Sequence, residues 1–123
     1  MDDIIMVRGD TLRLSICNIK TQNGEDYVLS DTDVIYLDAK ANAADKAAVF
    51  SKSVTAADYD EKGALPITIL PEDTVNLAPR DYFFDVRLFM DEDNIYTIVP
   101  MSKLKIVRNV TDIPEGAVGN GLS

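Results

Sequence analysis

Apolar and polar residues alternate one by one along most of this chain, which is the pattern of β-strands that bury one face. The clearest run is residues 81–90, where large apolar side chains recur at every second position. Its two faces carry Tyr82, Phe84, Val86 and Leu88 on one side, and Phe83, Asp85, Arg87 and Phe89 on the other. We predict a core strand here, with the first set buried.

The same alternation predicts further strands between turn signals. They cover residues 4–7, 11–19, 34–41, 49–54, 65–70, 95–99 and 103–107, with a short edge strand at 27–29. Turns are predicted at the Asn23-Gly24 pair and at the acidic stretch 91–94, and residues 100–102 predict a break between the last two strands. The alanine-rich segment 41–48 has no apolar stripe and is predicted to be a loop or a single helical turn.

Residues 71–77 predict a short helical crossover between sheets. Pro71 stands at its start, and Glu72 and Asp73 occupy its first turn, where acids are favourable. With no long helix elsewhere, the pattern predicts an all-β, immunoglobulin-like antiparallel β-sandwich of about seven to nine short strands. We expect one domain at residues 1–110, followed by an extended or disordered tail at 111–123 that is rich in glycine.

Composition narrows the function. The 123 residues include no His and a single Cys, Cys17, which excludes His-dependent catalysis, an intrachain disulfide and the commonest zinc ligand sets. We therefore expect neither catalysis nor a cofactor. A net charge of −9 disfavours nucleic acid as a partner. The acidic start of the chain does not resemble a signal peptide, and no apolar window approaches the length of a membrane span, so we expect a soluble protein that is not secreted.

Two groups of residues are candidates for binding. Phe83 and Phe89, with Arg87 between them, lie on the face of residues 81–90 that a one-sided sheet would expose, and exposed aromatics often mark contact surfaces. The alternative is that other parts of the chain cover these aromatics. The acidic turn residues Asp91, Glu92 and Asp93 are a weak candidate cation site, because they lack the ordered spacing of an EF-hand and suit a turn equally well.

Three motifs together carry a resemblance to a known group. They are an opening Arg8-Gly9-Asp10-Thr11, a crossover Pro71-Glu72-Asp73-Thr74 with Leu77, and a strand Tyr82-Phe83-Phe84-Asp85-Val86-Arg87. With their spacing, the chain resembles the small immunoglobulin-like β-sandwich proteins of tailed bacteriophages and prophages, including the N-terminal domain of baseplate upper proteins. The resemblance spans residues 4–110. It departs from the group at Arg80-Asp81, where a glycine often precedes the tyrosine strand.

The resemblance implies a non-catalytic structural protein that docks onto other tail or baseplate subunits, with a homo-oligomer as a further expectation. Its location would be the virion, or the host cytoplasm before assembly. The alternative function is a carbohydrate- or receptor-binding module. That module would need Tyr or Phe side chains forming a flat platform, since the chain has no Trp.

Overall fold

The computed structural model describes residues 3–21 and 23–111, and within them the chain forms seven strands in two sheets. The strands are β1 (Ile4–Val7), β2 (Leu12–Ile16), β3 (Val34–Lys40), β4 (Phe50–Thr55), β5 (Leu65–Ile69), β6 (Asp81–Asp91) and β7 (Asn94–Val107). A 3₁₀ turn (Ala56–Asp58) and one short helix, α1 (Pro71–Thr74), are the helical elements of this part. The all-β prediction is confirmed. The predicted tail lies outside the described residues, apart from residue 111.

The larger sheet has the strand order β1-β7-β6-β3-β4, and the smaller sheet pairs β2 with β5. Neighbouring strands run antiparallel except for β1 and β7, which are parallel with Ile4 opposite Leu104. One sheet built around β3, β6 and β7 and another built on β2 and β5 is the arrangement of an immunoglobulin-like sandwich.

The core lies between the two sheets and is filled by alternate residues of their strands, as the sequence pattern predicts. In the larger sheet Ile35 and Val86 are fully buried, and in the smaller sheet Leu65 and Ile67 are equally enclosed. The intervening residues point away from this core. One face of each sheet therefore remains for contacts outside the sandwich.

The predicted helical crossover is confirmed and is shorter than expected. It ends at Thr74, and Pro71 opens it where a missing N–H costs nothing. The Asp73 carboxylate accepts a hydrogen bond from the Leu70 N–H at 2.7 Å, which satisfies one of the free donors at the helix start.

The strand predictions are wrong in three places. Residues 95–99 and 103–107 belong to the single strand β7, whose register shifts against β6 accommodate the stretch around Pro100. The strand predicted at 11–19 ends at Ile16, because Asn18 adopts a left-handed conformation with φ of 57°. Residues 27–29 form no strand; an isolated bridge joins Lys20 to Asp26 just before them.

Candidate functional site

The predicted interface residues lie on the outer face of the larger sheet, which is the face turned away from the core. Phe83, Arg87 and Phe89 alternate along β6 with the buried Tyr82, Phe84, Val86 and Leu88. Arg87 is exposed, whereas both phenylalanines are only half-buried. Both rings are therefore partly covered and partly open to solvent on this face.

Phe89, Tyr36 and Arg87 form one cluster on this face. Tyr36 lies opposite Arg87 in the register of β3 and β6, and its ring meets Phe89 edge to face at 5.1 Å between centroids. The Arg87 guanidinium carbon lies 5.8 Å from the centre of the Phe89 ring, within the range of a cation–π contact. Since 39% of Tyr36 remains exposed, the cluster presents an aromatic surface with one positive charge beside it.

Phe83 lies at the other end of the same face, beside a shallow depression of about 180 Å³. The side chains around it combine apolar and charged groups: Phe83, Met101, Arg87, Lys40, Asp38 and Asp85. Met101 is 64% exposed and extends the apolar area toward β7. Arg87 lies between the depression and the Phe89 cluster, so the structure joins the three predicted residues into one surface, which we call the outer-face patch.

Tyr36 and Met101 also belong to the outer-face patch, and neither was predicted from the sequence. Tyr36 carried a usable signal, because it alternates with the buried Ile35 and Leu37 and so had to point outward. The sequence held no such signal for Met101, since Met101 lies in the stretch that was predicted to separate the last two strands.

In the acidic turn between β6 and β7, the Asp91 carboxylate forms hydrogen bonds within the turn itself. The Asp91 carboxylate accepts bonds from the Asn94 side-chain amide at 3.0 Å and from the Asp93 N–H at 2.8 Å. These bonds, the Asn94 amide first, lower the pKa of Asp91 below its ordinary value. Among residues 3–21 and 23–111, no group of three or more acidic, Cys or His side chains is arranged to hold a metal ion.

Asp33 carries a buried carboxylate, since only 2% of the residue is exposed. A buried carboxylate is costly unless hydrogen bonds satisfy it. The Asp33 carboxylate accepts hydrogen bonds from the Tyr27 hydroxyl and from the Ser30 N–H, the latter at 2.9 Å. The neighbouring Tyr59 hydroxyl accepts a bond from the Leu29 N–H at 3.0 Å. These bonds secure the segment that leads into β3. Asp33 therefore has a structural role rather than the free carboxylate that an acid–base catalyst would offer.

A second concave surface, larger than the depression beside Phe83, opens on the opposite side of β7. It is a groove of about 930 Å³ between the first half of β7 and the segment that follows β2. Ile16, Leu88 and Val99 line it, and Cys17 lies exposed along its wall. The alternation of apolar and polar residues did not predict this groove.

Comparison with known proteins adds no assignment. No protein-family model matches the chain, and no curated protein matches its sequence. In the part of the chain that the structure describes, no helix is long and apolar enough to span a membrane.

Proposed function

We propose that this chain is a non-catalytic structural protein of a tailed phage or prophage, which docks onto another tail or baseplate subunit through the outer-face patch. The observation that supports docking is the patch itself: aromatic side chains share one sheet face outside the core of the sandwich. The assignment to phage particles rests on the resemblance of the three sequence motifs.

The composition of the patch suits a protein partner. Aromatic residues, methionine and arginine are enriched at the centres of protein interfaces, and Tyr36, Phe89, Met101 and Arg87 are of these types. In the register of β3 and β6, the charged residues Asp38, Asp85 and Arg87 lie between the two phenylalanines. A partner would bury the exposed part of the rings and place complementary charges opposite this middle, where charges select orientation more than they add affinity.

Assembly into particles tests the proposal directly. A tagged copy of the chain is expressed in the bacterium that carries its gene, tail-containing particles are induced and purified, and mass spectrometry measures the chain in them. We expect the wild-type chain to be present and Arg87→Glu to be reduced at least about tenfold, because a reversed charge at the patch opposes docking. Arg87 is exposed, so this variant should fold.

Arg13→Glu is the matched control, because Arg13 is exposed on β2, lines neither the patch nor the groove, and undergoes the same reversal of charge. It should enter particles at the wild-type level. Particles that lack the wild-type chain would refute the phage assignment. Equal incorporation of Arg87→Glu would refute docking through the outer-face patch.

A glycan array tests the alternative function, which is a carbohydrate-binding module. Binding to a defined glycan that is lost in Tyr36→Ser, with no chain found in particles, would favour that alternative over the docking protein.

A further inference from the structure

The strand β7 has an open edge beside the groove. Its parallel partner β1 pairs only with Leu104–Val107, and an antiparallel strand, β6, covers the other side. Among the described residues, positions 95–99 of β7 therefore have a strand partner on one side only. Their outward backbone N–H and C=O groups are available to another strand.

The smaller sheet is open on the same side. β2 pairs with β5 alone, so its second edge also lacks a neighbouring strand in the described part of the chain. Ser15 and Ile16 of this sheet line the groove together with residues 96–99 of β7. The groove therefore lies between the open edge of β7 and the open edge of β2, where the described part of the chain places no strand.

The groove offers apolar contacts below that edge. Its floor includes the buried Ile16, Leu88 and Val99, with the half-buried Met90 and Ile98 beside them. Among the described residues that line it, Lys20 is the only charged one, and its ammonium is paired with Asp26. In a chain of net charge −9, this lining is nearly free of charge, although polar residues such as Asn18, Asn23 and Thr97 border its apolar floor.

Acidic groups stand at one end of the groove. Met90 and Tyr96, which line it, flank the turn that carries the exposed Asp91, Glu92 and Asp93. A positively charged group at that end of an occupant would meet a complementary potential.

We propose that the groove accepts an extended segment of a partner protein as an added strand beside β7, with aliphatic side chains at alternate positions and a lysine or arginine at the acidic end. Backbone hydrogen bonds to residues 95–99 would hold it, while every second side chain enters the apolar floor. Pro100 has no N–H and β7 shifts register near it, so pairing stops there and covers about five residues. This inference uses a surface separate from the outer-face patch and does not depend on the phage assignment.

A designed peptide tests the inference. The probe is a fluorescently labelled peptide of about ten residues that alternates valine and threonine. It is made in two versions, one with two lysines at its N-terminus and the other with two lysines at its C-terminus. Two versions are needed because the proposal does not fix the direction in which the added strand runs. Fluorescence anisotropy should show one version binding with a Kd of about 100 μM or tighter. Replacing its lysines by glutamates should weaken binding at least about tenfold, and added salt should reduce that difference.

Two further readouts locate the peptide. Methylation of alternate peptide nitrogens should abolish binding, because it removes the backbone donors that a strand must supply. The bound peptide should slow hydrogen exchange at residues 95–99 and slow the reaction of the Cys17 thiol, the only thiol of the chain, with a disulfide reagent.

Two tyrosine variants form the matched pair of controls. Tyr96→Ser should weaken binding at least about threefold, since Tyr96 lines the groove, and Tyr36→Ser on the outer-face patch should leave it unchanged. Absence of binding by both versions at about 1 mM would overturn the inference, as would full binding by the methylated peptide. A peptide-free dimer already protected at residues 95–99 would also overturn it, because a second copy would then be the occupant.

Discussion

The hydroxyl of Thr74 accepts a 2.8 Å hydrogen bond from the backbone N–H of Gly9, and Thr74 is completely buried. This bond joins the turn between β1 and β2 to the helix α1, two segments separated by 65 positions in the chain. Arg8 adds a second connection, because its Nε donates to the Asn109 side chain at 2.9 Å. The Arg-Gly-Asp tripeptide therefore serves as a structural turn, and Gly9 provides the positive φ of 83° that the turn needs.

Removing the Thr74 hydroxyl should destabilise the protein. Thr74→Val keeps the shape of the side chain but leaves the Gly9 N–H without its acceptor, which should lower the free energy of unfolding by about 1–3 kcal/mol. Thr74→Ser keeps the hydroxyl, loses one methyl group and should cost about 1 kcal/mol. Urea unfolding measures both. A Thr74→Val protein as stable as the wild type would show that this bond contributes nothing.

Asp73 should contribute more to stability than its ion-pair partner, Lys52. The Lys52 ammonium lies 2.6 Å from the Asp73 carboxylate, and their side chains are only 19% and 14% exposed. Asp73→Ala removes this pair and the acceptor of the Leu70 N–H, so we expect a loss of about 2–4 kcal/mol.

Lys52→Met keeps an unbranched apolar side chain at this position and leaves Asp73 on the helix start. It should therefore cost about 1 kcal/mol. Chemical denaturation of both single variants and the double variant measures the coupling between the two residues. Additive losses would mean that the ion pair itself is energetically neutral.

The Tyr27 hydroxyl and the buried Asp33 carboxylate should give stability a defined pH dependence. Their hydrogen bond, aided by burial, raises the pKa of Tyr27 to about 12. Since the native phenol holds its proton more tightly than the unfolded chain does, this contribution is complete below about pH 10 and is lost as the pH rises through about 12.

The contribution of Asp33 to stability has the opposite pH dependence. Burial acts to raise its pKa, but the hydrogen bonds from Tyr27 and Ser30 outweigh burial and lower it. Its contribution is therefore present above the unfolded pKa of 3.8 and is lost as the pH falls through the lower native value. An absorbance titration of the wild type against Tyr27→Phe should assign the late-titrating phenol, and Asp33→Asn should return that phenol toward its ordinary pKa. An unchanged Tyr27 titration in Asp33→Asn would contradict the assignment.

Neutralising Asp38 should stabilise the protein. Asp38 lies directly opposite Asp85 in the register of β3 and β6, and two like charges at such positions repel each other. Asp38→Asn should raise the free energy of unfolding by about 0.2–1 kcal/mol at low salt, with a smaller gain at high salt. Glu61→Gln in an exposed loop makes the same change in net charge and serves as the control for thermal unfolding. A gain of equal size in the control would assign the effect to net charge instead of to this pair.

Much of the fold could be predicted because the alternation of side chains is a local property. In β3, β5 and β6 the apolar residues recur at every second position, and these are the residues found between the sheets. The same alternation placed Phe83, Arg87 and Phe89 on the outer face. It could not show that Tyr36 packs against Phe89, since that contact depends on which strand neighbours β6.

The alternation of apolar and polar residues is weak in β4, and there it does not predict which side chains face the core. Lys52 lies opposite the buried Leu37 and thus on the core side of the sheet, a position where the alternation calls for an apolar residue. Its ammonium is accommodated there because α1, far along the chain, brings Asp73 to it. No local pattern contains that partner.

The sequence by itself determined the strand faces, the all-β class and the helical crossover, because side-chain periodicity and turn chemistry act over a few residues. Tertiary structure alone decided that β7 continues through Pro100, that β1 pairs with only its last four residues, and that a groove remains beside its first half. The physical reason is that strand length and free edges depend on which backbone groups find partners, and those partners come from distant parts of the chain.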